Sequence, residues 1–315
     1  MSDSIVAPIA VFAYKRLDKL MICIHSLEKN KLAKESEIFI FCDGYKNEND
    51  RDDVERVHSW IRQYEKDNSV FKKVHISIKE KNVGLANSII SGVTEVINTF
   101  GRVIVVEDDL IVSDGFLEYM NKGLDFYEDD SEIWEIASYG YSLKSLKKYK
   151  HDLYLGYRAS SWGWATWKDR WDTVDWEVKD YEKLQNSKIL QKKLCRGGGD
   201  LYPMLKNQMN GLIDSWAIRW NYAASKRNMF TVYPKIGLVS NDGFDGTGTH
   251  SGKKGPDAIF NEVSDDVEFE KLDLDKRITR EFYLMHTDTI DKKIKRNASF
   301  KGIRNLIIRK LSKNV

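Results

Sequence analysis

Three consecutive acids, Glu107, Asp108 and Asp109, follow the apolar run Val103–Val106. Carboxylates this close repel one another and desolvate badly unless a cation meets them. They suit a hard divalent cation, Mg²⁺ or Mn²⁺, held by one or two carboxylates and completed by phosphate oxygens and water. The bland alternative is an acidic turn facing solvent. Arg16 and Asp43 also follow apolar runs directly. An Arg there can clamp a diphosphate, and an Asp can accept bonds from a ribose or a base. Asn82 begins the stretch Asn82–Asn87, whose Gly84 permits close backbone approach to a nucleotide or merely starts a helix. Trp162 and Trp164 flank Gly163, where their rings could stack on a sugar; the spacing lets Trp164, Trp167 and Trp171 share a helix face, and Trp167 and Trp171 read as core. Asp214 opens a helix, a place where Asp commonly caps. His250 sits in a Gly-rich stretch, either solvated or meeting phosphate or metal.

The elements that must position these residues alternate. Ile5–Ala13, Glu37–Cys42, Lys73–Ile78, Arg102–Val106 and Ile133–Ser138 read as strands. Leu17–Asn30, Asp50–Tyr64, Val83–Phe100 and Asp114–Tyr127, the last capped by Ser113, read as helices between them. Strand–helix alternation means βαβ units and a mainly parallel sheet flanked by helices, an α/β fold of Rossmann type. Ligands in such sheets bind beyond the carboxyl ends of the strands, where Arg16, Asp43 and Glu107–Asp109 fall. After about Gly140 the texture changes. Lys179–Leu194 reads as a polar helix, Ile213–Ser225 as an aromatic-rich one and Phe230–Tyr233 as a strand. Asn241–Pro256 holds five Gly in sixteen residues, expected to be a surface loop or a lid.

Composition limits the rest. With 315 residues, 42% hydrophobic, and 9 Trp, 15 Tyr and 13 Phe, the chain needs a packed interior. Cys23, Cys42 and Cys195 make no CxxC pair and are expected to be reduced thiols. No apolar run approaches the roughly 20 residues of a membrane helix, and no signal peptide is expected. No HExxH, GxSxG, GxGxxG or P-loop pattern occurs, which argues against a zinc protease, a serine hydrolase, a dinucleotide fold and a P-loop enzyme. Net charge is +2, but residues 292–315 carry nine Lys/Arg and no acid, leaving 41 basic and 48 acidic residues before them. A basic tail on an acidic body is not a nucleic-acid pattern; it suits an anionic membrane surface. Phe300, Ile303, Ile307 and Leu311 would share one helical face of that tail. The expected location is cytoplasmic, with peripheral attachment to the inner face of the cytoplasmic membrane.

The residues above, taken in order, resemble the nucleotide-sugar glycosyltransferases of the GT-A fold over roughly residues 5–255. Within them the chain is most similar to the inverting N-acetylglucosaminyltransferase that initiates complex N-glycans, and to bacterial surface-polysaccharide transferases. Ala7–Arg16 resembles the family's first strand, ending in an Arg that binds the nucleotide diphosphate. Phe41–Gly44 resembles the segment whose Asp, here Asp43, reads base and ribose. Val105–Leu110 resembles its Glu-Asp-Asp motif. The resemblance implies that Asp109 ligates the metal, Glu107 touches the donor sugar and Asp108 meets the ribose or a metal-bound water. Tyr157-Arg158 and Gly163-Trp164 resemble a further segment. Asp214-Ser215-Trp216 resembles the Asp-Asp-Trp whose first Asp is the catalytic base. Ser240–Gly252, with Thr249 and His250, resembles the loop that closes over the donor. Ile213 stands where the family has a Trp against the donor sugar, and Ser215 replaces its second Asp, so the donor sugar is left open.

These readings imply a metal-dependent inverting transferase that moves a sugar from a UDP-sugar to a glycan or lipid-linked acceptor. Asp214 would be the base, with Asp200, Asp242 and Asp245 as rivals. Residues 1–140 would bind the nucleotide sugar, 141–285 the acceptor and base, and 286–315 form the tail. A sugar-nucleotide nucleotidyltransferase would want a Gly-rich loop after the first strand, where Tyr14–Asp18 has no Gly. A non-catalytic carbohydrate-binding protein would explain the Trp cluster but not the acids.

Overall fold

The structure, a computed structural model, describes residues 6–243 and 267–287. The expectations for Asp245, for His250, for most of the 241–256 loop and for the 292–315 tail lie outside the described residues. The first half runs β1 (Ile9–Ala13), α1 (Leu17–Glu28), β2 (Glu37–Cys42), α2 (Arg51–Asp67), β3 (Lys73–Ile78), α3 (Leu85–Phe100) and β4 (Arg102–Glu107). It continues with β5 (Leu110–Val112), α4 (Phe116–Phe126) and β6 (Ile133–Ala137). The second half gives β7 (Leu153–Gly156), β8 (Trp164–Trp167), α5 (Lys168–Trp171), α6 (Tyr181–Gln185), α7 (Lys188–Leu194) and α8 (Leu201–Met209). It ends with α9 (Trp216–Arg227), β9 (Phe230–Pro234), β10 (Val239–Asn241) and α10 (Lys276–Met285).

One eight-stranded sheet, ordered β3-β2-β1-β4-β8-β6-β9-β7, carries strands from both halves of the chain. The change of texture near Gly140 therefore does not divide the sheet. The β3-β2-β1-β4 block is parallel throughout, as helical crossovers require. β1 is buried at every position, so its sequence Ile-Ala-Val-Phe-Ala does not alternate. The sheet is more mixed than expected, because β8 runs antiparallel between β4 and β6, and β7 antiparallel to β9.

Helices cover both faces. Leu20, Ile24 and Leu27 of α1, Val57 and Ile61 of α2, and Phe116, Met120 and Leu124 of α4 bury one face. Ile89, Val93 and Ile97 of α3 and Trp216 and Trp220 of α9 bury the other. α3 ends at Gly101, whose left-handed φ of 78° returns its N–H to Ile97. Four local expectations are corrected. The polar segment 179–194 breaks into α6 and α7, because Ser187 caps a new helix on Leu190 N–H. Ser113 does not cap α4 through its hydroxyl; Gly115 is the N-cap, and Ser113 contributes its carbonyl to Phe116 N–H. Trp164 and Trp167 lie on a strand, not a helix, and face opposite sides of the sheet. The helix after Asp214 begins at Trp216 and is capped by Ser215, not by Asp214. Among the described residues, no helix is long and apolar enough to cross a membrane.

Candidate functional site

Three adjacent parallel strands, β2, β1 and β4, end on one rim and deliver Asp43, Arg16 and the Glu107–Asp109 acids to it. Arg16 is the link between them. Its Nη2 donates both to Asp108 Oδ1 and, at 3.0 Å, to Asp109 Oδ2. Its Nη1 is buried with no hydrogen-bond partner among the described residues. A buried donor left so costs about 1–3 kcal/mol, and that cost falls when an acceptor arrives. Burial pushes the Asp108 carboxyl up to about 6 in spite of the guanidinium beside it. Glu107 points to the α3–α9 face by strand alternation from Val103 and Val105. Burial, then Asp109 and Asp108, push its carboxyl up to about 8. A carboxyl that keeps its proton near neutrality can donate a hydrogen bond as well as accept one.

Asp109 is fixed from the other side by a contact no sequence pattern announced. β10 pairs antiparallel with β5, placing Asn241 opposite Leu110. Asn241 Nδ2 approaches Asp109 Oδ1 at 3.4 Å, and Asp242 N–H donates to the Asp109 carbonyl at 2.8 Å. A Cβ on Gly243 would collide with Asp109 Oδ2, so only a glycine lets this backbone pack so close to that carboxylate. Adjacent carboxylates at one strand end offer the oxygen chemistry of a hard cation that keeps water and phosphate in its shell. No group of three or more His, Cys, Asp or Glu converges among the described residues, so the described side chains by themselves would not complete such a shell.

Asp43 holds backbone at the end of β2. It is buried, and its carboxylate accepts from the backbone N–H groups of Gly44, Val83 and Gly84 at 2.9–3.0 Å. Both oxygens are thus spent on holding the 82–84 turn, where Gly84 takes φ 83°. Asn82 Nδ2 donates to the Gly44 carbonyl at 2.8 Å and ties the same turn to the end of β2. The two residues shape the rim by fixing backbone.

Asp214 reaches this turn from the residue before the α9 cap. Its Oδ2 lies 3.7 Å from where a Cβ on Gly84 would sit, next to the N–H that Asp43 holds. Its side chain is 59% exposed and accepts from Arg219 Nη2 at 3.2 Å. With Ser215 doing the capping, the exposed Asp214 carboxylate is not spent on the helix end and, among the described residues, keeps only the Arg219 contact. The rivals are more committed: Asp200 is clamped by both arms of Arg158 at 2.9 and 3.0 Å, and Asp242 pairs with Lys19 at 2.7 Å.

The tryptophans separate. The residues on either side of Gly163 reach the same rim because β8 runs antiparallel to β4, with Trp164 opposite Val105. Trp162 is half-buried, edge-on to Tyr139 at 4.8 Å. Trp164, expected to stack on a sugar, is 0% exposed and packed among Trp171, Trp216 and Trp220. No face of its ring is left for a ligand. Trp164→Ala is expected to cost about 3–5 kcal/mol of stability, read as a lower urea midpoint. Glycan-binding loss in a protein of unchanged midpoint would contradict this core role.

No protein-family model and no curated protein matches the sequence. Among solved structures, the chain is similar to residues 1–349 of TarS from S. aureus, at 12% identity over 72% of this chain and 60% of that one, with TM-score 0.37. It is similar to the glycosyltransferase GlyE of Streptococcus pneumoniae TIGR4, at 14% identity over 73% of this chain and 45% of that one, with TM-score 0.35. The galactosyltransferase LgtC, solved with donor and acceptor sugar analogs, matches at 11% identity over 71% of this chain and 72% of that one, with TM-score 0.36. The chain thus spans less than two thirds of the TarS and GlyE structures, and its functional reading rests on its own rim residues.

Proposed function

We propose that the chain is a metal-dependent, inverting glycosyltransferase of GT-A type. It would move a sugar from a nucleotide-diphosphate donor, a UDP-sugar, to a hydroxyl of a glycan or lipid-linked acceptor in surface polysaccharide synthesis. One observation carries this reading: the Asp108–Asp109 pair at the end of β4 meets Arg16 from the end of β1, while Asp214 stands uncapped at the neighbouring Gly84 turn.

Breaking the anomeric C–O bond loads negative charge on the departing diphosphate. Asp109 would hold Mn²⁺ or Mg²⁺, with Asp108 meeting the ribose or a metal-bound water, and the cation's charge would stabilise that leaving group. Arg16 adds a fixed positive charge at the same rim, and Glu107 offers a hydrogen bond to a sugar hydroxyl. The acceptor hydroxyl must lose its proton as it attacks, and Asp214 can take it. Arg219 keeps that carboxylate in place. One base without a second nucleophilic carboxylate gives single displacement and inversion. The test is a panel of nucleotide sugars scored for thermal stabilisation and donor hydrolysis. One nucleotide should raise the melting midpoint only with Mn²⁺ present; no shift from any nucleotide, with or without Mn²⁺, would contradict the reading.

Attachment to an anionic membrane through residues 292–315 belongs to the same proposal, since each basic residue near such a surface adds about 1 kcal/mol. Full-length protein is expected to float with anionic liposomes and residues 1–291 to stay behind. Equal flotation of the two removes the idea.

A further inference from the structure

We propose that Arg16 couples cation binding to diphosphate binding, so that the rim takes its divalent cation together with a diphosphate and only poorly without one. The inference rests on the donor-site reading and adds how that site is regulated. One nitrogen of Arg16, Nη2, serves both Asp108 Oδ1 and Asp109 Oδ2, the latter at 3.0 Å. A cation at Asp109 must compete for that same Oδ2 against a charge that is already fixed. The competition takes place with the Asp108 side chain only 5% exposed and that of Arg16 20%. Two like charges at so sheltered a site repel far more than they would in water. The acids therefore cannot serve guanidinium and metal equally.

The guanidinium has somewhere else to go once a diphosphate is present. Nη1 is buried without a hydrogen-bond partner among the described residues, so half of the fork is unspent. Turning both arms onto phosphate oxygens would use it, the bidentate geometry for which Arg is suited. Backbone geometry permits the turn: Arg16 is the N-cap residue of α1, at φ −101° and ψ 79°, outside the helix proper, and its side chain makes no cap bond. Rotating the side chain alone leaves the first bond of α1, from Leu20 N–H to the Arg16 carbonyl, intact. A diphosphate that draws Arg16 away frees Asp109 for the cation, and a cation that displaces Arg16 frees it for the diphosphate. By linkage each ligand must then raise the affinity of the other by the same factor.

Mn²⁺ titration followed by electron paramagnetic resonance, on the full chain with and without UDP, tests this. Wild-type protein is expected to bind Mn²⁺ weakly alone and on the order of 10-fold tighter with UDP. Arg16→Gln removes the competitor, so it should bind Mn²⁺ alone roughly 10-fold tighter than wild type, with a smaller gain from UDP. Arg16→Lys keeps the competing charge but has no second arm to turn onto phosphate, so it should bind Mn²⁺ alone as weakly as wild type and gain less from UDP. If Arg16→Gln melts early because the acids now repel, Mn²⁺ alone should restore its midpoint, which it does not do for wild type. Mn²⁺ affinity in Arg16→Gln no higher than in wild type, with wild type binding Mn²⁺ well in UDP, overturns the coupling and leaves the donor site standing. Failure of wild type to bind Mn²⁺ even with UDP overturns the donor-site reading, and the coupling with it.

Discussion

Asp214→Asn is expected to lower the transfer rate by 10²–10⁴-fold, about 3 to 5 kcal/mol of barrier, while leaving UDP affinity nearly unchanged. An amide keeps the size of the side chain but cannot take the acceptor's proton. The fold should tolerate it, because Ser215 accepts from Ile218 N–H and caps α9 without help from Asp214. The side chain is exposed and pairs with Arg219, to which the amide oxygen can still accept. Measuring kcat and UDP affinity on the same preparation separates a base from a bystander. Near-normal kcat in a folded variant would transfer the role elsewhere. Asp200 and Asp242 would then have to leave their partners Arg158 and Lys19 to take it.

Asp109→Asn should abolish the Mn²⁺-dependent part of UDP binding. Replacing even the partner of a metal ligand costs 10–100-fold, so loss of the ligand itself should cost more than roughly 100-fold. A neutral amide is a poor match for a hard cation. The neighbourhood should hold its shape, since the amide oxygen can accept from Arg16 and the main-chain bond from Asp242 to residue 109 is untouched. Calorimetry with UDP and Mn²⁺ is the measurement, and unchanged affinity in the variant would remove Asp109 from the metal.

Much of this site was legible because buried parallel strands leave apolar runs, and the residues just beyond the carboxyl end of such a run sit on the ligand-binding rim. Glu37–Cys42 and Lys73–Ile78 form strands over those very residues, and Arg16, Asp43 and Glu107–Asp109 all fall at strand ends. The second half was less readable for physical reasons. Trp164, Trp167 and Trp171 keep helical spacing by coincidence, since β8 passes into α5 between the second and third of them. β5 and β10 are three residues each, too short to show a period. Asp214 and Ser215 are both capping residues, and only the geometry decides that the Ser caps and the Asp is spared. The carboxylate of Asp43 turns to a backbone forty residues away, a choice set by how closely the 82–84 turn passes the end of β2. Arg16 and its two acids are more than ninety residues apart in sequence, and their pairing arises because β1 and β4 are neighbours in the sheet.

The most direct test of a metal-dependent nucleotide-sugar site is a calorimetric titration of UDP into the wild-type protein, once with Mn²⁺ and once with a chelator. A rim built from Arg16, Asp108 and Asp109 predicts saturable binding with Mn²⁺ that disappears with the chelator. Binding of UDP that is equally tight in both, or absent from both, would contradict it.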